Sequence, residues 1–140
     1  IQITDCGPVS GHSAQTQAKL QIMMQYIHDN YSGQITLDDI ARTVLISKSS
    51  VLNIFRTYLH TSPINYVVEY RLKRASKLLV DTENSVCTIA QETGFENIGY
   101  FCRKFKKLYG VTPINYRKHC RSAERNSMRN IHSDTNILSG

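Results

Sequence analysis

The sequence lacks any apolar run that approaches the ~18 residues a helix needs to span a bilayer. Its first five residues also lack the basic and then apolar layout of a secretory signal. Both absences count against a membrane as the partner of the chain. Because the chain begins with Ile1 and not with methionine, we expect it to be part of a longer protein that carries any effector-binding domain upstream.

Cysteine is scarce and scattered. The sequence has no C-x-x-C pair and no histidine cluster with ligand spacing, and its four cysteines are Cys6, Cys87, Cys102 and Cys120. A zinc site therefore has little support, and so few cysteines in 140 residues do not suggest a disulfide framework. We predict reduced thiols in a cytoplasmic, nucleoid-associated protein that needs no metal or other cofactor.

Motifs of catalysis are missing as well. The sequence has no Gly-rich phosphate loop, no H-E-x-x-H and no nucleophile elbow. Its 11 acidic residues are spread mostly over the surfaces of predicted helices, whereas acid–base chemistry needs paired groups in one pocket. We therefore predict that the chain is not an enzyme.

Positive charge is the main compositional feature that is present. The chain has 17 Lys and Arg against 11 Asp and Glu, which gives a formal net charge of +6. A balance of this size favours a polyanionic partner, and nucleic acid is the first choice. The 140 residues, 41% of them hydrophobic, are about one domain's length with a modest core.

The chain contains an internal repeat. The segment Ser-Pro-Ile-Asn-Tyr at 62–66 recurs at 112–116 as Thr-Pro-Ile-Asn-Tyr, and a phenylalanine stands eight residues before each proline, at Phe55 and Phe105. These pairs are 50 residues apart, but the Ile-Ala pairs that begin at Ile40 and Ile89 are 49 apart. One copy therefore carries a single extra residue between its alanine and its phenylalanine, where a turn is expected.

Each copy is predicted to form a helix, a short turn and a second helix. In the first copy, Thr36 caps a helix that turns at residues 45–46, and the next helix starts after Ser47. In the second copy, a helix over 85–93 turns at Gly94-Phe95 and the next starts near Asn97. Helical spacing predicts that this second helix buries Phe101, Phe105 and Leu108.

The predicted fold is all-α, with two helix-turn-helix (homeodomain-like) subdomains joined by a long linker helix. Pro63 suits the first turn of the linker helix, where its missing N–H costs nothing. A packing helix from Ala18 to Tyr31, with the apolar residues Leu20, Ile22, Met23, Tyr26 and Ile27, precedes the first subdomain. The predicted divisions are a flexible linker from an upstream domain over 1–13, the first subdomain over 14–62, the linker helix over 63–82, the second subdomain over 83–121 and a flexible tail over 122–140.

A helix that packs on one side leaves its other side free, and the major groove of B-DNA, about 12 Å wide, admits one α-helix. Two such units could place two recognition helices in successive major-groove segments, roughly 34 Å apart, on an asymmetric site. Asn53 and Arg103 are the first candidates to read bases, because Asn pairs bidentately with adenine and Arg with guanine. We predict phosphate contacts from Lys48, Arg56, Arg71, Arg74, Asn97, Lys104, Lys106 and Lys107.

The same residues carry a family likeness. The motifs that carry it are Leu37-x-x-Ile40-Ala41, Ser47, Phe55, Pro63-x-x-Tyr66, Arg71-Leu72-x-x-Ala75-x-x-Leu78-Leu79, Ile89-Ala90-x-x-x-Gly94-Phe95, Tyr100-Phe101-x-x-x-Phe105-Lys106-Lys107 and Gly110-x-x-Pro113-x-x-Tyr116-Arg117. With these motifs, the stretch from about Ile35 to Lys118 resembles the C-terminal DNA-binding domain of AraC/XylS-type transcription regulators. So many ordered matches over more than half of the chain are much more specific than a lone helix-turn-helix pattern.

The resemblance implies a monomeric pair of subdomains, usually fused to a ligand-sensing or dimerising domain. It also implies binding to double-stranded promoter DNA and, most often, activation through contact with RNA polymerase. Leu52, Ile98 and Gly99 depart from the most polar members, because they offer no hydrogen-bonding side chain; Leu52 and Ile98 could touch thymine methyls or read no base. By position, the resemblance makes base-reading candidates of Ser49, Ser50, Leu52 and Asn53 in the first unit and of Ile98, Gly99, Cys102 and Arg103 in the second.

One alternative stays open at this point. The chain could be a helical protein-interaction module whose charge keeps it soluble. Such a module predicts weak DNA binding that is indifferent to sequence, whereas a pair of recognition helices predicts preference for one asymmetric site.

Overall fold

The computed structural model describes the backbone of residues 6–124 and the side chains of residues 14–124. Within that range the chain forms seven helices and no strand, which confirms the all-α prediction. None of these helices is both long enough and apolar enough to cross a membrane. The helices are α1 (Cys6–Asn30), α2 (Leu37–Thr43), α3 (Lys48–Leu59), α4 (Pro63–Asp81), α5 (Val86–Glu92), α6 (Ile98–Tyr109) and α7 (113–124).

Polar side chains begin the helices at the predicted positions. The Thr36 hydroxyl accepts from the Asp39 backbone N–H at 3.1 Å, and the Asp39 carboxylate accepts from the Thr36 N–H at 2.9 Å. At the starts of α3 and α6, Ser47 and Asn97 each accept from the backbone N–H three residues later, at 3.2 and 2.9 Å. Each cap satisfies an N–H that the helix itself leaves unpaired, so the start of each of these helices is encoded locally.

The described residues divide into two compact units, and the division falls between Tyr70 and Arg71. It lies inside α4, so this helix is continuous but contributes its first part to one unit and its second part to the other. The first unit comprises α1, α2, α3 and the start of α4. The second comprises the rest of α4 with α5, α6 and α7. The fold is therefore a pair of helix-turn-helix units joined by a linker helix, as predicted.

In the first unit, α3 packs against α1 and α2. Phe55 is fully buried and meets Tyr66 edge-on, with the ring centroids 5.7 Å apart. Ile22 was predicted to join this core but is 52% exposed. At 100° per residue it falls outside the arc that packs, and that arc consists of Leu20, Met23 and Ile27.

In the second unit, Phe101 and Phe105 are fully buried, and Phe105 meets Tyr116 edge-on with the centroids 5.3 Å apart. Leu108 was also expected in this apolar stripe, but it is 42% exposed. The ring of Tyr109 occupies that end of the core instead, with its centroid 4.6 Å from that of Phe105 and 5.1 Å from that of Tyr116.

The backbone hydrogen bonds of the two turns repeat as the sequence does. In the two turns, Ile46 donates its N–H to the Ala41 carbonyl and Phe95 donates to the Ala90 carbonyl, at an offset of 49 residues. The helix caps that follow are 50 residues apart. The extra residue is therefore Glu96, which lies in the turn of the second unit where the insertion was predicted.

The helices cross the predicted boundaries at both ends of the chain. Helix α1 begins at Cys6, so the predicted flexible linker over 1–13 is helical from that residue, and residues 1–5 lie outside the described range. Pro8 falls in the first turn of α1, where a missing N–H breaks no helical hydrogen bond. Helix α7 continues to residue 124, so 122–124 are helical, and the rest of the predicted tail, 125–140, lies outside the described residues.

Candidate nucleic-acid interface

Helix α3 presents a polar surface opposite its buried side. Val51 and Phe55 are fully buried, and the helical period places the intervening positions on the outside. The side chains of Asn53 and Arg56 are exposed. Leu52 is 37% exposed, which leaves it at the surface without a polar group. All four base-reading candidates of the first unit are exposed, namely Ser49, Ser50, Leu52 and Asn53.

Helix α6 presents the equivalent surface in the second unit. Phe101 and Phe105 point inward and are fully buried. Arg103 is exposed on the other side, and Lys106 and Lys107 are exposed beside it. The four base-reading candidates of this unit differ in exposure. Ile98 and Arg103 are exposed and Gly99 and Cys102 are half-buried.

The 50-residue offset aligns the two surfaces residue by residue. Arg103 stands where α3 has Asn53, and Lys107 stands where α3 has Thr57. Thr57 is exposed, so it is a surface residue of the first unit that sequence reasoning missed, although the repeat offset could have revealed it. The surface of α6 is therefore more basic than that of α3, and the two present different hydrogen-bonding groups.

Five of the residues predicted to contact phosphates are exposed cations, namely Lys48, Arg56, Arg74, Lys106 and Lys107. The Lys48 ammonium lies 3.4 Å from the Asp38 carboxylate. Such exposed pairs are worth less than about 1 kcal/mol, so this one is easily exchanged for a phosphate.

Arg71, Lys104 and Asn97 have further roles in the second unit. Burial lowers the pKa of the half-buried Arg71 guanidinium, while the charge of Glu96 acts in the opposite direction. The Lys104 ammonium lies 5.6 Å from the centroid of the Tyr100 ring, a cation–π distance. The side-chain oxygen of Asn97 caps α6, so only the N–H groups of its side-chain amide remain to contact a phosphate.

Two arginines of α7 hold the end of α4 and the segment that leads into α5. The sequence did not predict this role. Arg117 donates to the backbone carbonyls of Leu79 at 2.7 Å and Asn84 at 2.6 Å. Arg121 donates to the Thr82 carbonyl at 3.0 Å and pairs with Glu83. Together they satisfy the carbonyls at the end of α4 and hold the segment that leads into α5. The partners are more than 30 residues away in sequence, so no local signal announces these bonds.

The described side chains form neither a disulfide nor a metal site. Cys87, Cys102 and Cys120 are free thiols. Within residues 14–124 no group of three or more His, Cys, Asp or Glu side chains is arranged to hold a metal ion. The described site is instead a pair of capped helices with polar and basic outer faces. Each of these helices follows a shorter helix, α2 or α5, across a tight turn, and that arrangement defines the class of helix-turn-helix proteins.

Comparison with known proteins agrees with this class. A family described as a helix-turn-helix domain matches residues 40–119, more than half of the chain. The HTH-type transcriptional regulator YdeC of Bacillus subtilis is 33% identical over 100 residues, which are 71% of this chain and 34% of that protein. The lactose operon transcription activator of Staphylococcus xylosus is 30% identical over 100 residues, 71% of this chain and 36% of that protein.

A solved structure extends the agreement to the fold. The AraC-type transcriptional regulator structure from Chromobacterium violaceum matches with a TM-score of 0.71 and 31% identity, over 75% of this chain and 94% of that one. The chain belongs to the AraC-type family of helix-turn-helix DNA-binding transcription regulators. It spans about a third of the length of the two relatives from Bacillus subtilis and Staphylococcus xylosus.

Proposed function

We propose that the chain binds double-stranded DNA sequence-specifically by inserting α3 and α6 into successive segments of the major groove, and thereby regulates transcription. The observation that carries this proposal is the duplicated scaffold with unlike outer faces. Phe55 and Phe105 are buried in the same way in both units, yet Asn53 and Arg103 stand at the same exposed position. Two similar units that present different base-reading side chains suit an asymmetric DNA site.

The chemistry of the exposed groups fits this role. An asparagine amide pairs bidentately with adenine, and an arginine guanidinium with guanine. The exposed cations beside them, Arg56 in the first unit and Lys106 and Lys107 in the second, suit phosphate contacts that set affinity and register. Ser49 and Ser50 can serve in either way. Helix α6 would contribute more of the affinity through phosphate contacts, because it carries more positive charge.

The wider role is proposed from the relatives. One of them is named a transcription activator of the lactose operon, and we propose that this chain likewise acts at promoter DNA and activates through RNA polymerase. Such a role requires the compartment that holds the chromosome, which in bacteria is the cytoplasm. The greater length of the relatives supports a further domain in the whole protein, and we propose that this domain lies N-terminal to the chain and binds any effector. No catalytic activity belongs to this proposal.

The test is selection from a randomised duplex pool at near-physiological salt, followed by sequencing of the retained DNA. We expect two unlike short motifs in a fixed order, about one helical turn apart. The Asn53→Ala/Arg103→Ala double variant should lose both motifs and keep its fold by circular dichroism. Lys19→Ala, which removes one charge on α1, is the control and should retain both.

The competing function is a protein-interaction module with only non-specific DNA affinity. It predicts retention without any enriched motif, and retention that disappears as salt rises. That outcome for the unaltered chain would overturn sequence-specific binding. A single motif in place of two would restrict reading to one unit.

A further inference from the structure

Gly99 is an unusual residue for the second position of a recognition helix. It lies within α6, in the turn that Asn97 caps, and its backbone is helical there. A glycine in a helix costs roughly 0.5–1 kcal/mol relative to alanine. Among the described glycines, positive φ angles occur at Gly94 and Gly110 and not at Gly99. The backbone therefore gives no reason for glycine at this position.

The space beside Gly99 is taken by other side chains. A Cβ atom at Gly99 would lie 3.4 Å from Nη1 of Arg103 and 3.2 Å from Oδ1 of Asn97. Side chains in a helix lean toward its N-terminus, so residue 103 lies over residue 99 one turn earlier. A Cβ atom at residue 99 would therefore already touch the Arg103 guanidinium and press on the Asn97 oxygen, and any atom beyond the Cβ would compete with the guanidinium for space.

The first unit has the opposite arrangement at the equivalent positions. Ser49 stands in place of Gly99, and Asn53 stands in place of Arg103. Asparagine is too short to reach back over the preceding turn, so a side chain at residue 49 takes no space from it. The small residue and the long cation therefore occur together in the second unit.

We propose that Gly99 is a specificity-determining position that acts through Arg103. By leaving the space over the first turn of α6 open, it lets the guanidinium lie flat beside the helix and present two of its N–H donors to one guanine of the second half of the site. This inference rests on the proposed function and assigns Gly99 a positioning role in place of direct base contact. A side chain that extends beyond the Cβ at residue 99 displaces the guanidinium and loosens its bidentate geometry.

The test is a double-mutant cycle on DNA. Equilibrium affinities of the unaltered chain, Gly99→Ser, Arg103→Ala and the double variant are measured on the selected site and on a site with the Arg103-dependent base pair replaced. A bidentate arginine–guanine contact gives about 5- to 150-fold discrimination between such sites. We expect Gly99→Ser to lower this ratio by at least about threefold when Arg103 is present. With alanine at residue 103, the substitution should leave the ratio unchanged.

Matched controls separate this role from folding. Ser49→Gly makes the equivalent change in the first unit and should leave discrimination in the second half of the site unaltered. Gly99→Ser places the residue of the first unit in the second, and Gly99→Ala, whose Cβ only touches the guanidinium, should have a smaller effect. Circular dichroism and urea unfolding check that these variants fold. In the DNA-free protein, a nuclear Overhauser effect between the Arg103 side chain and Gly99 Hα tests the packing without any substitution.

The outcomes distinguish the inference from the proposed function. Full discrimination in Gly99→Ser, or the absence of the Arg103–Gly99 Overhauser effect, would overturn the positioning role and leave the proposed function standing. An equal loss with and without Arg103 would also overturn it, because Gly99 would then act through the Asn97 cap or by the close approach of its own backbone to DNA. No discrimination by the unaltered chain would overturn both.

Discussion

Two residues of the first unit have a left-handed backbone conformation, and glycine occupies each equivalent position in the second unit. Leu45 and His60 both have a φ of 56°, and the equivalent positions in the second unit are Gly94 and Gly110. Residue 60 and residue 110 end α3 and α6 by donating their N–H groups to the carbonyl four residues earlier. Left-handed geometry costs a residue with a Cβ roughly 1–2 kcal/mol. The first unit therefore carries local strain that the second avoids.

Replacing His60 by glycine should stabilise the chain. The expected gain is about 0.5–1 kcal/mol, because relief of the strained φ outweighs the added freedom of glycine in the unfolded chain. Gly110→Ala is the reciprocal control and should cost about 1 kcal/mol, since its Cβ meets nothing within 4 Å and only the backbone is affected. Urea unfolding measures both, and a less stable His60→Gly variant would show that the imidazole contributes more than the strain costs.

Arg103 is the residue on which reading by the second unit depends most. Arg103→Ala should weaken binding to the selected site by about 1–3 kcal/mol and relax the preference in the second half only. Repeating the selection with this variant shows the change, and Asn53→Ala should show its effect in the first half. An unchanged motif with Arg103→Ala would remove this residue from the base readers.

At the scale of the element, helix α2 begins with a reciprocal cap that depends on charge. Hydrogen bonds from the Thr36 backbone N–H, then from the Thr36 side chain and from Arg42, lower the pKa of Asp39. The Arg42 guanidinium donates to the Asp39 carboxylate at 2.6 Å. Because the folded pKa is lowered, the ionised carboxylate stabilises the fold at pH values above its unfolded pKa of about 3.9. This contribution is lost as the pH falls through the folded pKa.

Asp39→Asn should therefore be less stable than the unaltered chain at neutral pH and should approach it in acid. The difference is expected to shrink as the pH falls below about 3.9, when the natural carboxylate also becomes neutral. Urea midpoints of both proteins over an acid pH series measure it. A difference that is the same at every pH would mean that the shape of the cap matters and its charge does not.

Helix α6 should contribute most of the salt dependence of DNA binding. Lys107→Ala should weaken binding to all sequences alike and reduce the slope of log affinity against log salt by about 0.9, the value for one phosphate contact. Thr57→Lys adds the equivalent cation to α3 and should increase the slope by a similar amount. Titrations at several salt concentrations measure both slopes. If Lys107→Ala changed the preferred base instead, its assignment to phosphate would be wrong.

At the scale of the whole molecule, the two units have separate cores but share one helix. Phe55 anchors the first core and Phe105 the second, and the division between the units falls within α4. Shared helices can couple two cores into one unfolding unit, whereas separate cores favour local opening. Substitutions in the two cores can decide which behaviour holds.

Phe105→Leu should reduce stability by about 1–2 kcal/mol through the space left in the core. We expect hydrogen exchange to show lower protection in residues 71–124 and little change in residues 14–70. Phe55→Leu, the matched variant, should give the reverse pattern. Equal loss of protection in both units would show that α4 makes them unfold as one.

The sequence by itself determined the repeat, the helix starts and the identity of the core phenylalanines. These features are local or periodic: a cap acts within three residues, and a buried stripe recurs at the helical period. Thr36 and Ser47 are caps in the structure as the sequence indicated, and Asn97, near which a helix start was predicted, caps α6. The single inserted residue was also predicted, although only the hydrogen bonds identify it as Glu96.

Only the tertiary structure decided where each apolar face ends and which distant groups meet. Leu108 fits the helical period of Phe101 and Phe105 but lies at the surface, as does Ile22 beside the buried arc of α1, because the packing partner sets the width of a buried stripe. The bonds of Arg117 to the end of α4 depend on how α7 packs. The position of the Arg103 guanidinium over Gly99 depends on the space left between side chains. A one-dimensional pattern specifies spacing along the chain, whereas these contacts depend on distances through space.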